Sequence, residues 1–425
     1  MEIITINQGD TFSRIAARYG LSEEKIIADN GLDKEGTLVV GQSLILLFPQ
    51  NEYIINDSDE TIIGVSLDTG ITPRTLFRNN IFLEGDGILS QGDVIVTRYT
   101  DTPKLTKIIG GYAYDSIPQS LLQTVIPYMT YLMPFTYGFT PDGTLLLPND
   151  SRLIETAVAS GAMPLMHLST LTEQGNFSNE LAHLLLTNPK AIEKLYQNAL
   201  DTVITKGYYG IDIDFEFLFA EDKERYVDFI RGITELMNAN GYICVVALPP
   251  KTSDDQRGLL YEGIDYQALG EAANYGFLMT YEWGYRFGPP LAVAPIDSVR
   301  RVVEYALSRI PGNKILLGIS NYGYDWILPF IRGESEAISI STVHALDIAK
   351  TYGAEISFDE AAMSPYFNYT DSFGREHIVW FEDARSYKAK VGLIEEYNLA
   401  GGFIWDLMRE NPQGFVTLNA LIDII

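Results

Sequence analysis

Three acidic side chains alternate with large apolar ones in the segment Gly210–Glu216. This alternation has the period of a β-strand, in which successive side chains point to opposite faces. Asp212, Asp214 and Glu216 therefore share one face, while the apolar residues between them pack on the other. Carboxyl groups crowded on one face repel one another, which raises the pKa of at least one of them. The segment predicts a proton donor at neutral pH, as acid-catalysed bond cleavage requires.

From residue 104 onward, apolar strands alternate with helical stretches, which is typical of repeated βα units. The predicted strands are Lys107–Tyr112, Tyr131–Phe135, Met163–Leu168, Gly210–Glu216, Ile243–Leu248, Phe277–Tyr281, Ile315–Ile319 and Gly402–Trp405. Eight strands over about 320 residues predict an α/β fold, a (β/α)₈ TIM barrel. A polar, Tyr-rich segment at about 333–385 predicts an inserted α+β subdomain. A doubly wound sheet is the alternative, but no glycine-rich phosphate loop follows the first strand.

Composition restricts the possible partners of the chain. The 425 residues carry a formal net charge of −26, which argues against nucleic acid and anionic membranes as partners. No apolar run approaches the ~20 residues of a membrane span, and the N-terminus shows no Sec-type signal peptide. Cys244 is the one cysteine and stands in an apolar run, so we expect a buried thiol and no intrachain disulfide.

The first hundred residues contain a repeat with an offset of about 50 residues. Gly9–Thr11 in the first copy corresponds to Asp59–Thr61 in the second, and Val40–Gln42 corresponds to Gln91–Asp93. Each copy is predicted to run strand, helix, helix, strand, with Thr11 as a helix N-cap. The copies resemble LysM modules, which are small βααβ domains that bind N-acetylglucosamine-containing glycans.

The resemblance places the first LysM module at residues 1–48, the second at 51–98 and the barrel at 104–425. The second copy departs from the pattern at its opening, Asp59–Thr61, and at Thr69, where an aromatic residue is usual. Glycan binding by the second copy is therefore an open question, and the alternative for both copies is a role as spacers.

Several motifs of the barrel resemble one enzyme family. The segment Tyr209–Glu216 resembles the Asp-x-x-Asp-x-Asp-x-Glu motif of glycoside hydrolase family 18, which contains chitinases and related N-acetylglucosaminidases. Met279–Tyr281 is similar to the family's Met-x-Tyr motif, and Gly402–Trp405 to its final-strand tryptophan. With the LysM-like repeats, Gly318–Trp326 and Val379–Ala384 resemble more narrowly the spore cortex-fragment lytic enzymes.

The family resemblance implies a catalytic role for individual residues. Glu216 would be the general acid, and the substrate's own N-acetyl carbonyl would replace a second carboxylate as nucleophile. Asp214 would hold the acetamido nitrogen and share a proton with Asp212. Tyr281 would hydrogen-bond the attacking acetamido oxygen, and Trp405 would form the floor of the sugar subsite.

Further residues are expected to bind substrate. All four tryptophans lie near predicted strand ends or in the insertion, where their flat faces suit sugar rings, although a core role is the alternative for each. We expect Trp283, Trp326 and Tyr112 to contact substrate, together with Glu282, which stands where the family usually has Asp. Tyr209 replaces the first Asp of the motif, so we expect a shorter proton relay beyond Asp212.

A metal site is the alternative for the acidic strand, because three carboxylates can ligate Mg²⁺ or Ca²⁺. The four histidines, however, show no metal-ligand spacing: His167, His183, His344 and His377. We therefore predict neither metal nor cofactor.

The predicted function is that of a spore cortex peptidoglycan N-acetylglucosaminidase that cleaves cortex fragments during germination. A chitinase and a non-catalytic glycan-binding coat protein are the alternatives. The lack of an export signal and of disulfides favours a spore-associated protein over a secreted chitinase. The oligomeric state is left open, with a monomer as the expectation.

Overall fold

The computed structural model describes residues 1–32, 37–57, 60–83, 87–100, 105–172 and 174–425. Asp59 in the opening of the second repeat and residue 104, the predicted start of the barrel, lie outside these ranges. The helices are α1 (Phe12–Tyr19), α2 (Glu23–Asp29), α3 (Ile62–Thr69), α4 (Pro73–Asn79), α5 (Gln119–Val125), α6 (Ser151–Ala159), α7 (Asn179–Leu186), α8 (Pro189–Lys206), α9 (Lys223–Ala239), α10 (Tyr266–Ala272), α11 (Ile296–Leu307), α12 (Thr342–Tyr352), α13 (Ala384–Glu396) and α14 (Pro412–Leu421).

The strands complete the element order. They are β1 (Glu2–Thr5), β2 (Ser43–Leu46), β3 (Pro49–Ile54), β4 (Val94–Tyr99), β5 (Leu105–Ala113), β6 (Tyr131–Pro134), β7 (Gly138–Phe139), β8 (Leu145–Leu146), β9 (Met163–Pro164), β10 (Met166–Ser169), β11 (Gly210–Asp214), β12 (Ile243–Leu248), β13 (Tyr275–Leu278), β14 (Ile315–Ser320), β15 (Gly323–Ile327), β16 (Ile338–Ile340), β17 (Ser357–Asp359), β18 (Ser364–Thr370), β19 (Glu376–Trp380), β20 (Gly401–Trp405) and β21 (Ile422–Ile424).

A closed parallel barrel forms the centre of the molecule. Its strands follow the order β5, β6, β9–β10, β11, β12, β13, β14 and β20, and β20 pairs with β5 to close the ring. β9 and β10 are one strand interrupted at Leu165, whose N–H still donates to the Leu132 carbonyl oxygen of β6 at 2.9 Å. The predicted α/β barrel is therefore confirmed. β11 and β13 end before Glu216 and Tyr281, so both of these residues lie in the loops that follow.

The barrel buries apolar side chains in two layers, as its fold requires. Inside the ring, Tyr112, Phe277 and Phe403 pack together with aliphatic residues of neighbouring strands. Between the strands and the surrounding helices, Ile211 and Ile213 of β11 join a larger cluster. The apolar face of β11 is thus turned to the helices, which leaves the acidic face to the barrel interior.

The inserted subdomain is a five-stranded antiparallel sheet with α12 packed on it. Its strand order is β16, β15, β19, β18, β17. The sheet starts with β15 at Gly323, earlier than the predicted boundary near residue 333, because the chain turns into this sheet directly after β14. It leaves the sheet at Trp380, shortly before α13.

The two N-terminal repeats each consist of two antiparallel strands and two helices. In the first repeat Thr11 accepts a hydrogen bond from the Arg14 N–H, and in the second Thr61 accepts one from the Gly64 N–H, so each threonine caps its helix. The second repeat contacts the segments that precede β6 and β9. These segments lie at the amino ends of the barrel strands, opposite the end where their carboxyl ends meet. Arg74 bonds there to the carbonyl oxygens of Pro127 and Gly161.

Candidate active site

A cleft of about 340 Å³ opens at the carboxyl ends of the barrel strands. Asp214 and Glu216 line it on one side, and Asp212 lies beneath them, fully buried. The remaining residues of the lining are mostly aromatic or apolar: Tyr112, Tyr114, Phe135, Phe177, Pro250, Leu260, Tyr261, Phe277, Met279, Tyr281, Glu282, Trp283 and Trp405. The structure therefore brings the three predicted acids together at one mouth of the barrel, in surroundings of low polarity.

Asp212 is the deepest of the acids. The Tyr112 hydroxyl donates to its Oδ2 at 2.8 Å. Burial raises the pKa of Asp212 to about 6, against the opposing effects of His167 and of the Tyr112 hydrogen bond. Asp212 can therefore gain or lose its proton within the range of pH in which enzymes work.

Glu216 is partly buried beyond the end of β11. Burial, together with the smaller effects of the negative charges of Asp214 and Glu282, raises its pKa to about 8. The side chain consequently holds a proton at neutral pH and is able to act as a general acid.

Glu282 is anchored by the inserted sheet. Its Oε1 accepts hydrogen bonds from the hydroxyl groups of Tyr324, at 3.0 Å, and Tyr322. Its backbone φ is +66°, and that of Phe217 directly after Glu216 is +57°. Such values are uncommon for residues other than glycine, and they mark the loops on both sides of the cleft as places where the chain is held in a strained conformation.

Trp405 forms an aromatic wall at the end of β20. Its ring lies 5.0 Å from that of Phe135 and 5.4 Å from that of Tyr112, centre to centre. Trp283 and Tyr281 line the same cleft. Flat aromatic faces with polar edges match a sugar ring, which has apolar C–H faces and a rim of hydroxyl groups.

Trp326 and Tyr209 lie elsewhere than the sequence led us to expect. Trp326 is 1% exposed in the inserted sheet, and its Nε1 donates to the Gly288 carbonyl oxygen at 3.0 Å, so it is not available to contact substrate. β15 continues into an antiparallel sheet instead of ending at the cleft. Tyr209 is half exposed at the start of β11, the end far from Glu216, and the neighbours of Asp212 are Tyr112 and His167 instead.

His167 is a site residue that was not predicted from the sequence, where the four histidines were weighed only as metal ligands. β10 pairs with β11 so that His167 lies beside Asp212. Its Nε2 is 3.7 Å from an oxygen of Asp212 and 3.7 Å from an oxygen of Asp214. The sequence did place His167 near the carboxyl end of the third predicted barrel strand, where active-site residues of such barrels lie, and this position could have identified it.

Metal-ligand clusters and membrane-spanning helices are both absent from the ranges that the structure describes. Within them, no three His, Cys, Asp or Glu side chains converge as the ligands of a metal ion would. No helix there is long and apolar enough to cross a membrane.

The sequence matches the family Glycosyl hydrolases family 18 over residues 168–410, a span that includes the acids, Tyr281 and Trp405. Residues 4–46 match the LysM domain. The chain therefore belongs to glycosyl hydrolase family 18 and is a glycoside hydrolase with an N-terminal LysM domain.

Particular relatives are similar over the whole chain. The cortical fragment-lytic enzyme of Bacillus subtilis is 36% identical over 433 aligned residues, covering 100% of this chain and 99% of that protein. The crystal structure of the Bacillus cereus spore cortex-lytic enzyme SleL matches with a TM-score of 0.85 at 33% identity, covering 100% of this chain and 98% of the other.

A chitinase from Chromobacterium violaceum matches over part of the chain only. The TM-score is 0.68 at 26% identity, covering 74% of this chain and 99% of the other.

Proposed function

We propose that this glycoside hydrolase is an N-acetylglucosaminidase that cleaves fragments of spore cortex peptidoglycan during germination, with Glu216 as general acid. The observation that carries the proposal is the environment of Glu216, which keeps its proton to a pH of about 8 at the mouth of an aromatic cleft. Glycoside hydrolysis needs such an acid, because the leaving oxygen must be protonated as its bond to the sugar breaks.

Substrate-assisted hydrolysis with retention accounts for the rest of the site. Glu216 gives its proton to the glycosidic oxygen while the carbonyl oxygen of the substrate's N-acetyl group attacks the anomeric carbon, which forms an oxazolinium ion and releases the leaving sugar as an alcohol. Asp214 accepts a hydrogen bond from the acetamido nitrogen and shares a proton with Asp212. The Tyr281 hydroxyl orients the acetamido oxygen, and the Trp405 ring supports the sugar.

Water completes the reaction. The Glu216 carboxylate takes a proton from a water molecule, whose oxygen attacks the anomeric carbon from the face that the leaving group vacated. The oxazolinium ring opens, the N-acetyl group is restored, and Glu216 is again protonated. The anomeric configuration is retained because two inversions have occurred.

The choice of polymer rests on the modules and on the relatives. A LysM domain precedes the barrel, and relatives similar over the whole chain are named for cortex or cortical fragments. We accordingly propose peptidoglycan as the binding partner and the spore as the location. A chitinase is the second candidate, because the barrel alone is similar to a chitinase over 74% of the chain.

Replacing Glu216 with Gln tests the assignment of the acid. Glu216→Gln should lower the rate of cortex-fragment hydrolysis by at least about 10²-fold, because the amide cannot donate the required proton, while binding to insoluble peptidoglycan persists. Glu221→Gln is the matched control, since this exposed glutamate lies in the loop after β11. Unchanged hydrolysis in Glu216→Gln would contradict the role of Glu216.

Product analysis tests the substrate. Mass spectrometry of parallel digests of cortex fragments, vegetative cell wall and chitin should show N-acetylglucosaminidase products mainly from cortex. A predominance of chitin oligomers would favour the chitinase, and no products from any of the three would favour a binding protein.

A further inference from the structure

His167 lies against the acidic pair from the neighbouring strand. Its Nε2 is 3.7 Å from Oδ2 of Asp212 and also 3.7 Å from Oδ2 of Asp214. The imidazole is 1% exposed, and Asp212 is fully buried. One ring nitrogen thus faces two carboxylates at equal distance, and the ring itself is shielded from bulk water.

Contacts on the other sides of the ring fix this orientation. Nδ1 is 2.6 Å from Oγ1 of Thr136, and that hydroxyl can donate in turn to the Tyr137 carbonyl oxygen at 3.1 Å. Phe135 stacks on one face of the ring at 4.7 Å between centres, and Tyr112 meets it edge-on at 5.3 Å. Rotation of the ring would break these contacts, so Nε2 stays directed at the acids.

The acidic pair has few other partners. The Tyr112 hydroxyl donates to Asp212, yet Oδ1 of Asp212 and Oδ1 of Asp214 are buried with no hydrogen-bond partner among the described residues. None of the described residues that line the cleft is Lys or Arg. Buried carboxylates need a counter-charge or hydrogen-bond donors to stay ionised, and His167 is the group placed to supply one.

Three barrel strands place groups around the His167 ring. β11 contributes the carboxylates of Asp212 and Asp214, and β5 contributes the Tyr112 ring, whose hydroxyl donates to Asp212. The chain at the end of β6 contributes Phe135 and Thr136, which carry no charge. The charged groups that face His167 are therefore carboxylates.

We propose that His167 is a positioning residue whose imidazolium provides the counter-charge of the Asp212–Asp214 pair and keeps that pair anionic at pH values where Glu216 still holds its proton. The inference rests on the proposed roles of these three acids. With this counter-charge in place, the enzyme stays active to a lower pH than it would without His167. The opposing effect of His167 on the pKa of Asp212 has the expected sign.

Substitution of His167 gives the first test. His167→Gln keeps an amide N–H near the position of Nε2 but carries no charge. The acid limb of kcat/KM against pH should move upward by about one unit, so the variant loses roughly fivefold more activity at pH 5 than at pH 7, with the alkaline limb unchanged. His344→Gln is the control, since this histidine is exposed on α12. A uniform loss without a shift of the acid limb would assign His167 a structural role only.

An NMR measurement on the unaltered protein tests the inference without reference to activity. With ¹⁵N-labelled histidine, both ring nitrogens of His167 should show imidazolium shifts at pH 6, assigned by the absence of these signals in His167→Gln or, if that variant does not fold, in His167→Asn. A neutral imidazole at pH 6 would overturn the proposal. The NMR result holds even if the chain hydrolyses none of the tested glycans, so the two proposals can fail separately.

Discussion

The proton on Glu216 is a property of its surroundings. A glutamate in water is ionised at neutral pH, but here burial and two neighbouring carboxylates favour the neutral form. The pKa of Asp212 is raised less than that of Glu216, because the Tyr112 hydroxyl and His167 stabilise the Asp212 anion. Carboxyl groups on β11 and just beyond its end thus differ in pKa, and this difference allows Glu216 to donate a proton while Asp214 accepts a hydrogen bond from an N–H group.

The two pKa values predict a bell-shaped dependence of kcat/KM on pH. Above a pH of about 8 the activity should fall tenfold per unit, because Glu216 has lost the proton that it must donate. Below a pH of about 6 it should fall because protonation of Asp212 removes negative charge from the pair that holds the acetamido group. Initial rates on cortex fragments between pH 4.5 and 9.5 measure both limbs. An alkaline limb that persists at the same pH in the residual activity of Glu216→Gln would contradict its assignment.

At the scale of elements, local patterns predicted the barrel strands and the shared face of the acids, because side-chain alternation depends only on neighbours in sequence. The place of His167 beside Asp212 was not predictable in this way. It depends on the register between β10 and β11, which the packing of the whole barrel determines. The prediction that Trp326 contacts substrate was wrong for a related reason. The sequence around a strand end does not reveal whether the chain reaches the cleft or enters another sheet, and here β15 pairs with β19.

One buried ion pair joins the exit of the inserted sheet to the barrel. Glu382 is fully buried, with the Lys390 ammonium of α13 at 2.6 Å from its Oε2 and the Ser320 hydroxyl of β14 donating to its Oε1 at 2.7 Å. Lys390→Met should lower the free energy of unfolding by about 3–5 kcal/mol, because it leaves a buried carboxylate without its counter-charge. Denaturant unfolding measures the loss.

The double variant is the control for this prediction. Adding Glu382→Gln to Lys390→Met removes the uncompensated charge, so most of the lost stability should return. If the double variant is as unstable as Lys390→Met, the packing of the lysine side chain, and not its charge, accounts for the loss.

At the scale of the whole molecule, both repeats are packed on the barrel and are not suspended from it. Ile45, Leu47 and Ile81 of the repeats belong to the same apolar cluster as the outer layer of the barrel. Arg78 of the second repeat bonds to the Ile424 carbonyl oxygen near the C-terminus. A glycan bound to the first repeat would therefore be held at a fixed distance from the cleft, as a rigid arrangement of modules reduces the entropy lost when both engage one polymer.

Gln413 at the start of α14 is the polar centre of the contact between the first repeat and the barrel. The side chain is 2% exposed; its Nε2 donates to Asn30 Oδ1 at 3.0 Å and to the Ser43 carbonyl oxygen at 2.8 Å, and its Oε1 accepts from the Ser43 hydroxyl at 2.9 Å. We expect the unaltered chain to unfold in one calorimetric transition. Gln413→Leu should separate an earlier transition for the first repeat, because buried polar groups of Asn30 and Ser43 lose their partners. The control is Gln267→Leu, at an exposed position on α10, which should leave the single transition in place. If Gln413→Leu also shows one undivided transition at an unchanged temperature, apolar packing alone holds the first repeat on the barrel.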